Sequence, residues 1–257
     1  MCSISKGEQY DALVKERKAC RRCQGLPNGL RNPADAELAE FDSDEIGPWS
    51  RLHGDLDADL MIIGKDWGGI PYYVEHRGLD DLQRRPDDGQ LPNPTMRALD
   101  CLLPSIERGV PFDSYDCDEC GLFLTNAVLC LKEGNLRERV NPDCFENCAY
   151  FLRRQIQIVA PRVAVALGQD AHQAVLRAFC PIARVPPLQA AVKDENGLCL
   201  SKTTRLLAVF HPGYLGSISR SCEQQREDWQ RVPEAMRRNP CAACLNGQGY
   251  PHPFRPG

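Results

Sequence analysis

Three polar residues stand at or just beyond the ends of short apolar runs, and their types could do chemistry. Asp66 lies in Gly64-Lys65-Asp66-Trp67-Gly68-Gly69, Asn126 in Thr125-Asn126-Ala127-Val128, and His211 in His211-Pro212-Gly213-Tyr214-Leu215. An aspartate can orient or deprotonate a water, an asparagine amide can pair with a base edge, and a histidine can stabilise a developing anion. Each also has a plain structural use. Asp66 can form the turn before the glycines, Asn126 can satisfy a neighbouring backbone group, and His211 can pack in a loop ahead of proline. Together the three argue for a reactive site, because the elements preceding them should end at one edge of a sheet.

Those elements are four apolar runs, 59–64, 121–129, 162–168 and 205–210. Each is rich in Val, Ile, Leu or Phe without clean alternation, the pattern of parallel strands buried on both faces. Helical spacing lies between them. In 142–159, Phe145, Cys148, Phe151, Leu152, Ile156 and Val159 recur at helical intervals after the start signal Asn141-Pro142, and Pro161 ends the run. Residues 170–179 and 221–238 read as two further helices. The alternation predicts an α/β fold, a three-layer α/β/α sandwich with a central four-stranded parallel sheet. Ligands bind beyond the carboxyl ends of such strands. A chain of 257 residues, 42% hydrophobic, suits one domain over 1–238. Within it, 33–59 is an acidic insertion expected to be a surface loop, and 239–257 is a C-terminal tail.

Cysteine is over-represented, at 14 residues. The first twenty residues carry charges throughout and no apolar core of a signal peptide, and no run is long enough to span a membrane. The chain is therefore expected to be cytoplasmic, where cysteines serve metals or thiol chemistry more than disulfides. Three Cys-x-x-Cys pairs stand out: Cys20–Cys23, Cys117–Cys120 and Cys241–Cys244. The last two pairs could share one zinc ion or remain inert thiols; Asp116, Asp118 and Glu119 disfavour thiolates at the first of them. Cys2, Cys101, Cys180, Cys199 and Cys222 are expected to carry no chemistry, and His172 to be structural. The net charge of −4 gives no support to a uniformly basic nucleic-acid binder and leaves room for a local basic face. Nine of the acids fall in 33–59, and the rest of the chain is net positive.

The motifs resemble those of the uracil-DNA glycosylase superfamily. Gly64-Lys65-Asp66 resembles its water-activating Gly-Gln-Asp, and Leu124-Thr125-Asn126-Ala127-Val128-Leu129 its uracil-reading Leu-Leu-Asn-Ala-Val-Leu strand. His211-Pro212-Gly213-Tyr214-Leu215 resembles its His-Pro-Ser-Pro-Leu, and Asn93-Pro94-Thr95 a phosphate-gripping Pro-Pro-Ser turn. The resemblance covers roughly 58–220. It implies hydrolysis of the N-glycosidic bond of a deaminated base flipped out of DNA. Asp66 would position the water, Asn126 would pair with uracil N3–H and O4, and His211 would donate to O2. Thr95 would bind a phosphate, Leu215 would wedge the vacated stack, and Tyr72, Tyr73 or Trp67 would stack on the base. The chain is expected to work on DNA as a monomer, without a membrane.

A second part resembles the iron–sulfur branches of that superfamily. Those carry an N-terminal Cys-x-x-Cys, a Cys ending the Asn strand, and a Cys on the next helix before an apolar pair and Gln-Ile. Here the matching residues are Cys20, Cys23, Cys130 and Cys148, followed by Phe151-Leu152 and Gln155-Ile156. The resemblance implies a 4Fe–4S cluster on these four thiolates. Cys144, one turn away, competes with Cys148. Arg21, Arg22, Lys132, Arg137, Arg139, Arg153 and Arg154 surround the expected ligands, either as a solvated face or as contacts to DNA phosphates. The chain departs from the family pattern at Trp67-Gly68, where proline is usual, at Gly213, and in the 33–59 insertion. Those departures favour a second reading, a non-catalytic nucleic-acid or protein-binding member of the fold. A third reading is an unrelated zinc or thiol-redox protein.

Overall fold

The computed structural model describes residues 4–42, 54–75, 94–106, 121–135, 138–180 and 185–238. The strands are β1 (Leu30–Arg31), β2 (Leu60–Gly64), β3 (Leu122–Asn126), β4 (Leu131–Lys132), β5 (Val163–Leu167), β6 (Leu198–Cys199) and β7 (Arg205–Val209). The main sheet runs β3-β2-β5-β7-β6, and β1 pairs with β4 as a separate antiparallel ladder. The four expected strands are all present and parallel. The sheet has five strands rather than four. β6 adds an antiparallel edge, pairing Leu198 with Leu206 and Cys199 with Arg205. Two residues are too few to carry a periodic signal in the sequence. In the same strand Cys199 is disulfide-bonded rather than a plain thiol.

The helices are α1 (Lys6–Ala19), α2 (Ile70–Glu75), α3 (Pro94–Leu102), α4 (Pro142–Val159), α5 (Gly168–Phe179), α6 (Leu188–Lys193), α7 (Tyr214–Ser219), α8 (Cys222–Trp229) and α9 (Arg231–Arg237). They cover both faces of the sheet. Met61, Ile63, Phe123, Ala164 and Ala166 point to one face and pack with Tyr10, Leu13, Phe151, Ile156 and Val175 from α1, α4 and α5. The alternate residues Leu60, Ile62, Leu124, Val163 and Val165 meet Leu99, Leu102, Trp229 and Val232 from α3, α8 and α9. Both sets of strand side chains are buried, so the runs read as continuously apolar. This is the expected α/β/α sandwich.

Local chemistry sets the helix ends. The Asn141 side chain accepts from Asp143 N at 2.9 Å and Pro142 opens α4, while Ala160 closes it in the left-handed conformation at φ 51°. The expected helix 221–238 is two helices, α8 and α9. Pro233 has no N–H to give to the turn before it and its ring opposes the Trp229 carbonyl, so the helix breaks between Trp229 and Arg231.

The acidic insertion also differs from expectation over its described part. Ala36–Phe41 forms a 3-10 helix whose Leu38 and Phe41 are buried. Asp42 Oδ1 lies 2.7 Å from Arg17 Nη1, and Asp35 pairs with Arg21 at 2.8 Å. The segment is docked rather than loose, because its acids meet arginines distant in sequence.

Candidate active site

The parallel strands end level with one another. Gly64 is in register with Asn126, and Leu167 with Val209. β3 lies on one side of β2, and β5 and β7 on the other, so the chain reverses direction across the sheet beside β2. That reversal opens a crevice at the strands' carboxyl ends. Asn126 ends β3, Asp66 follows β2 and His211 follows β7.

Gly64 makes room for Asn126. A Cβ built on Gly64 would stand 2.1 Å from Asn126 Oδ1, so the amide lies directly across the glycine. Asn126 is 9% exposed, and the next two residues are tied back to the Gly64 turn by Ala127 N to Gly64 O at 2.8 Å and Val128 N to Lys65 O at 3.1 Å. Behind it, Thr125 Oγ1 donates to Gln155 Oε1 at 2.6 Å inside the core.

Asp66 is held by one oxygen. Oδ1 accepts from Gly68 N at 2.9 Å and lies 3.2 Å from Lys132 Nζ. Among the described residues none bonds Oδ2, which leaves that oxygen for a water. The two side chains are 10% and 5% exposed. Lys132 was expected on a solvated or phosphate-binding face; it is instead buried against Asp66. A lysine in the run Cys130-Leu131-Lys132 beside apolar residues was its only sequence signal.

His211 is set in one tautomer. Gly213 N donates to His211 Nδ1 at 3.0 Å, so the proton of the neutral ring sits on Nε2. Burial lowers its pKa; the Asp66 carboxylate opposes that and the Lys65 ammonium adds to it. The ring is therefore a neutral donor at neutral pH. Gly168, at φ 85°, backs it: a Cβ there would stand 3.3 Å from the His211 Cβ. Gly213 allows a close approach on the other side. A Cβ on it would meet His211 Cε1 at 2.9 Å and Thr95 Oγ1 at 3.0 Å. Thr95, in the first turn of α3, therefore converges with the His211 loop. Leu215 stands in the first turn of α7; its side chain lies outside the described residues.

The three candidate stacking aromatics do not stand alike. Tyr73 is fully buried, edge-on to Phe41 with centroids 5.5 Å apart, and its hydroxyl donates to Trp67 O at 3.2 Å. Trp67 is 8% exposed in the same cluster. Both build the wall behind the Gly64–Gly69 turn. Tyr72 is only partly buried and packs at its edge.

Cys20, Cys23, Cys130 and Cys148 line one cavity that is partly open to solvent. Leu30, Leu129 and Phe151 supply its apolar wall, and Arg17, Arg21 and Arg22 also border it. Burial raises the Cys130 thiol, and the Cys148 and Cys23 thiolates raise it further. Burial likewise pushes Cys148 up to about 12. Cys144 does not line the cavity. It is fully buried behind Cys23, and its hydrogen bond holds Cys23 down to about 7. Among the described residues no group of three or more closes on a point that could hold a single metal ion. Four cysteine thiols bordering one cavity are a donor set of the kind that holds an iron–sulfur cluster. Cys117, Cys120, Cys241 and Cys244 lie outside the described residues. No helix among those described is long and apolar enough to cross a membrane.

A family model described as the uracil DNA glycosylase superfamily matches residues 53–232. A type-5 uracil-DNA glycosylase of Pyrobaculum aerophilum is 26% identical over 210 residues, 80% of this chain and 83% of that protein. A type-4 uracil-DNA glycosylase of Archaeoglobus fulgidus is 22% identical over 232 residues, 88% of this chain and 93% of that protein.

Proposed function

The chain belongs to the uracil-DNA glycosylase superfamily and is an enzyme of the glycosylase kind; from that premise we propose that it removes uracil or a related deaminated base from DNA. The observation that carries this is the grouping at one sheet edge of an aspartate with one oxygen unbonded among the described residues, an amide fixed over a glycine, and a neutral histidine with its proton on Nε2.

Each residue then has a task. The base leaves the stack at a cost of a few kcal/mol and enters the crevice. The Asn126 amide accepts from uracil N3–H and donates to O4, a pattern cytosine does not offer. A wrong base leaves a buried amide unpaired, which is the stronger form of discrimination. As the bond between C1′ and N1 breaks, the sugar becomes oxocarbenium-like and the electron pair goes to the base. His211 Nε2–H donates to O2, where that charge collects. Asp66 Oδ2 orients a water toward C1′ and its charge opposes the sugar's. The water oxygen bonds to C1′, its proton passes to Asp66 and on to solvent, and the base leaves as an anion. Thr95 binds a flanking phosphate at the start of α3, Leu215 fills the gap in the stack, and Tyr72, the least buried of the three aromatics, stacks on the base.

Cys20, Cys23, Cys130 and Cys148 would hold a 4Fe–4S cluster. It would supply a structural cross-link between the N-terminal segment and the loop and helix that follow β3.

The departures from the family pattern have packing reasons that weaken the non-catalytic reading. Trp67 is part of the Phe41–Tyr73 cluster, and Gly213 stands where His211 and Thr95 leave no space for a Cβ. The test is base release from oligonucleotides carrying uracil, hypoxanthine or another deaminated base. Release that Asp66→Asn and His211→Ala slow by orders of magnitude, to a residual rate still measurable in single turnover, is expected; tight binding with no release of any base would sink the enzyme.

A further inference from the structure

We propose that Lys132 is a positioning residue for this hydrolysis: its buried ammonium holds Asp66 by one carboxylate oxygen and so aims the other at the attacking water. The proposal rests on the role given to Asp66 above. Lys132 Nζ lies 3.2 Å from Oδ1, and Gly68 N donates to the same oxygen at 2.9 Å. A carboxylate gripped once can still rotate about its Cβ–Cγ bond. Gripped twice on one oxygen, from a side chain and from the main chain, it is fixed with Oδ2 outward. The lysine is itself anchored to the same turn. Its N–H donates to Gly68 O at 3.0 Å, and Gly69 bridges it in a parallel pairing. At 4% exposure an ammonium is costly unless it is paired, and the pairing here ends on Asp66 rather than on solvent. The clamp is thus assembled before substrate arrives, which is what orientation of a reacting water requires. Lys132 also follows Cys130 by two residues, so the segment that carries an expected cluster ligand also carries the clamp.

The test is a double-mutant cycle on the full chain. Lys132→Met, Lys132→Gln, Asp66→Asn and the pair Lys132→Met with Asp66→Asn are compared with wild type. The readout is single-turnover release of uracil from an oligonucleotide across a range of protein concentrations. Lys132→Met should lower the maximal rate on the order of 10²-fold while the half-saturating concentration moves less than about two-fold. Lys132→Gln, which keeps a donor, should recover about ten-fold of that loss. In the Asp66→Asn background Lys132→Met should add less than about two-fold, because the residues act as one unit. A lysine that only supports the fold would multiply its loss in both backgrounds. That result, or a Lys132→Met rate within about three-fold of wild type, overturns the proposal. If Lys132→Met melts early, Lys132→Gln carries the same comparison. Wild type without base release overturns the reading of Asp66 and the clamp with it; active wild type with a strongly slowed but measurable Asp66→Asn keeps that reading and tests the lysine alone.

Discussion

Gly64→Ala should silence base recognition while leaving the chain folded. The added Cβ would stand 2.1 Å from Asn126 Oδ1, whereas ordinary contact begins at 3.4 Å. β2 and β3 are hydrogen-bonded in register at this very pair, so the backbones cannot part without loss of the ladder. The amide must therefore retreat by about 1 Å or turn away, and a misplacement of about 1 Å costs on the order of 10²-fold, or about 2.7 kcal/mol of barrier. Gly64 is not among the glycines with positive φ, so the alanine itself suffers no backbone penalty. Overpacking of this kind costs about 1–3 kcal/mol, offset by about 0.4–1 from a less flexible unfolded chain. The assay is single-turnover uracil release beside a melting curve. Gly7→Ala in α1, where an added Cβ would come within 4.0 Å of the Ser5 Oγ and no closer to any other side chain, is the control. In an Asn126→Ala background the alanine at 64 should have little left to disturb. A Gly64→Ala protein that releases uracil within about three-fold of wild type would show that Asn126 does not read the base from this position.

Two further outcomes are expected. His172 is 1% exposed on α5, and burial holds its pKa down to about 4 against an ordinary 6.5. The unfolded chain therefore binds a proton that the fold refuses. Stability is full above pH 6.5 and falls as pH drops toward 4, by up to about 3 kcal/mol; His172→Leu should flatten the fall in denaturant midpoint over that window, and an unchanged slope would refute the assignment. Cys148→Ala and Cys20→Ala should lose iron and broad visible absorbance in anaerobically prepared protein, while Cys144→Ala should keep both. Equal loss in all three would place Cys144 among the ligands.

The sheet was legible because burial on both faces writes itself into a continuous apolar run, as in Met61-Ile62-Ile63 and Val163-Ala164-Val165. The edge strand Leu198–Cys199 was not, since two residues of intermediate exposure leave no pattern. α1 was equally faint: it buries only Tyr10, Leu13, Val14 and Arg17 in a highly charged segment, although its Ser5–Glu8 capping box was there to be read. Asp66, Asn126 and His211 could be placed at one edge because strand ends are set by topology. What holds them could not. Lys132 reaches Asp66, Gly213 reaches His211 Nδ1 and Gly64 yields to Asn126 through contacts that depend on register and turn geometry, which composition does not encode.

Charge shows the same limit most clearly. Nine acids in 33–59 suggested a loose strand of negative charge, and the arginines around Cys20–Cys23 suggested a phosphate-binding face. Of those arginines Arg21 meets an acid of the insertion, and two that the sequence did not single out, Arg17 and Arg31, do the same. Arg31 pairs with Glu37 at 2.7 Å, Arg21 with Asp35 and Arg17 with Asp42. The arginines also act inward: Arg17 lowers the Cys130 thiol against the burial that raises it, and Arg22 does so for Cys23 and Cys148. A site of four thiolates needs such compensation, because buried like charges repel and water is excluded. Arg17 joins the two sets, paired with Asp42 and lowering the Cys130 thiol. The described part of the insertion thus neutralises and fastens the N-terminal wall of the cysteine cavity. The net charge of −4 therefore says little about the strand-end crevice, where Lys65 is paired with Asp170 and Lys132 with Asp66.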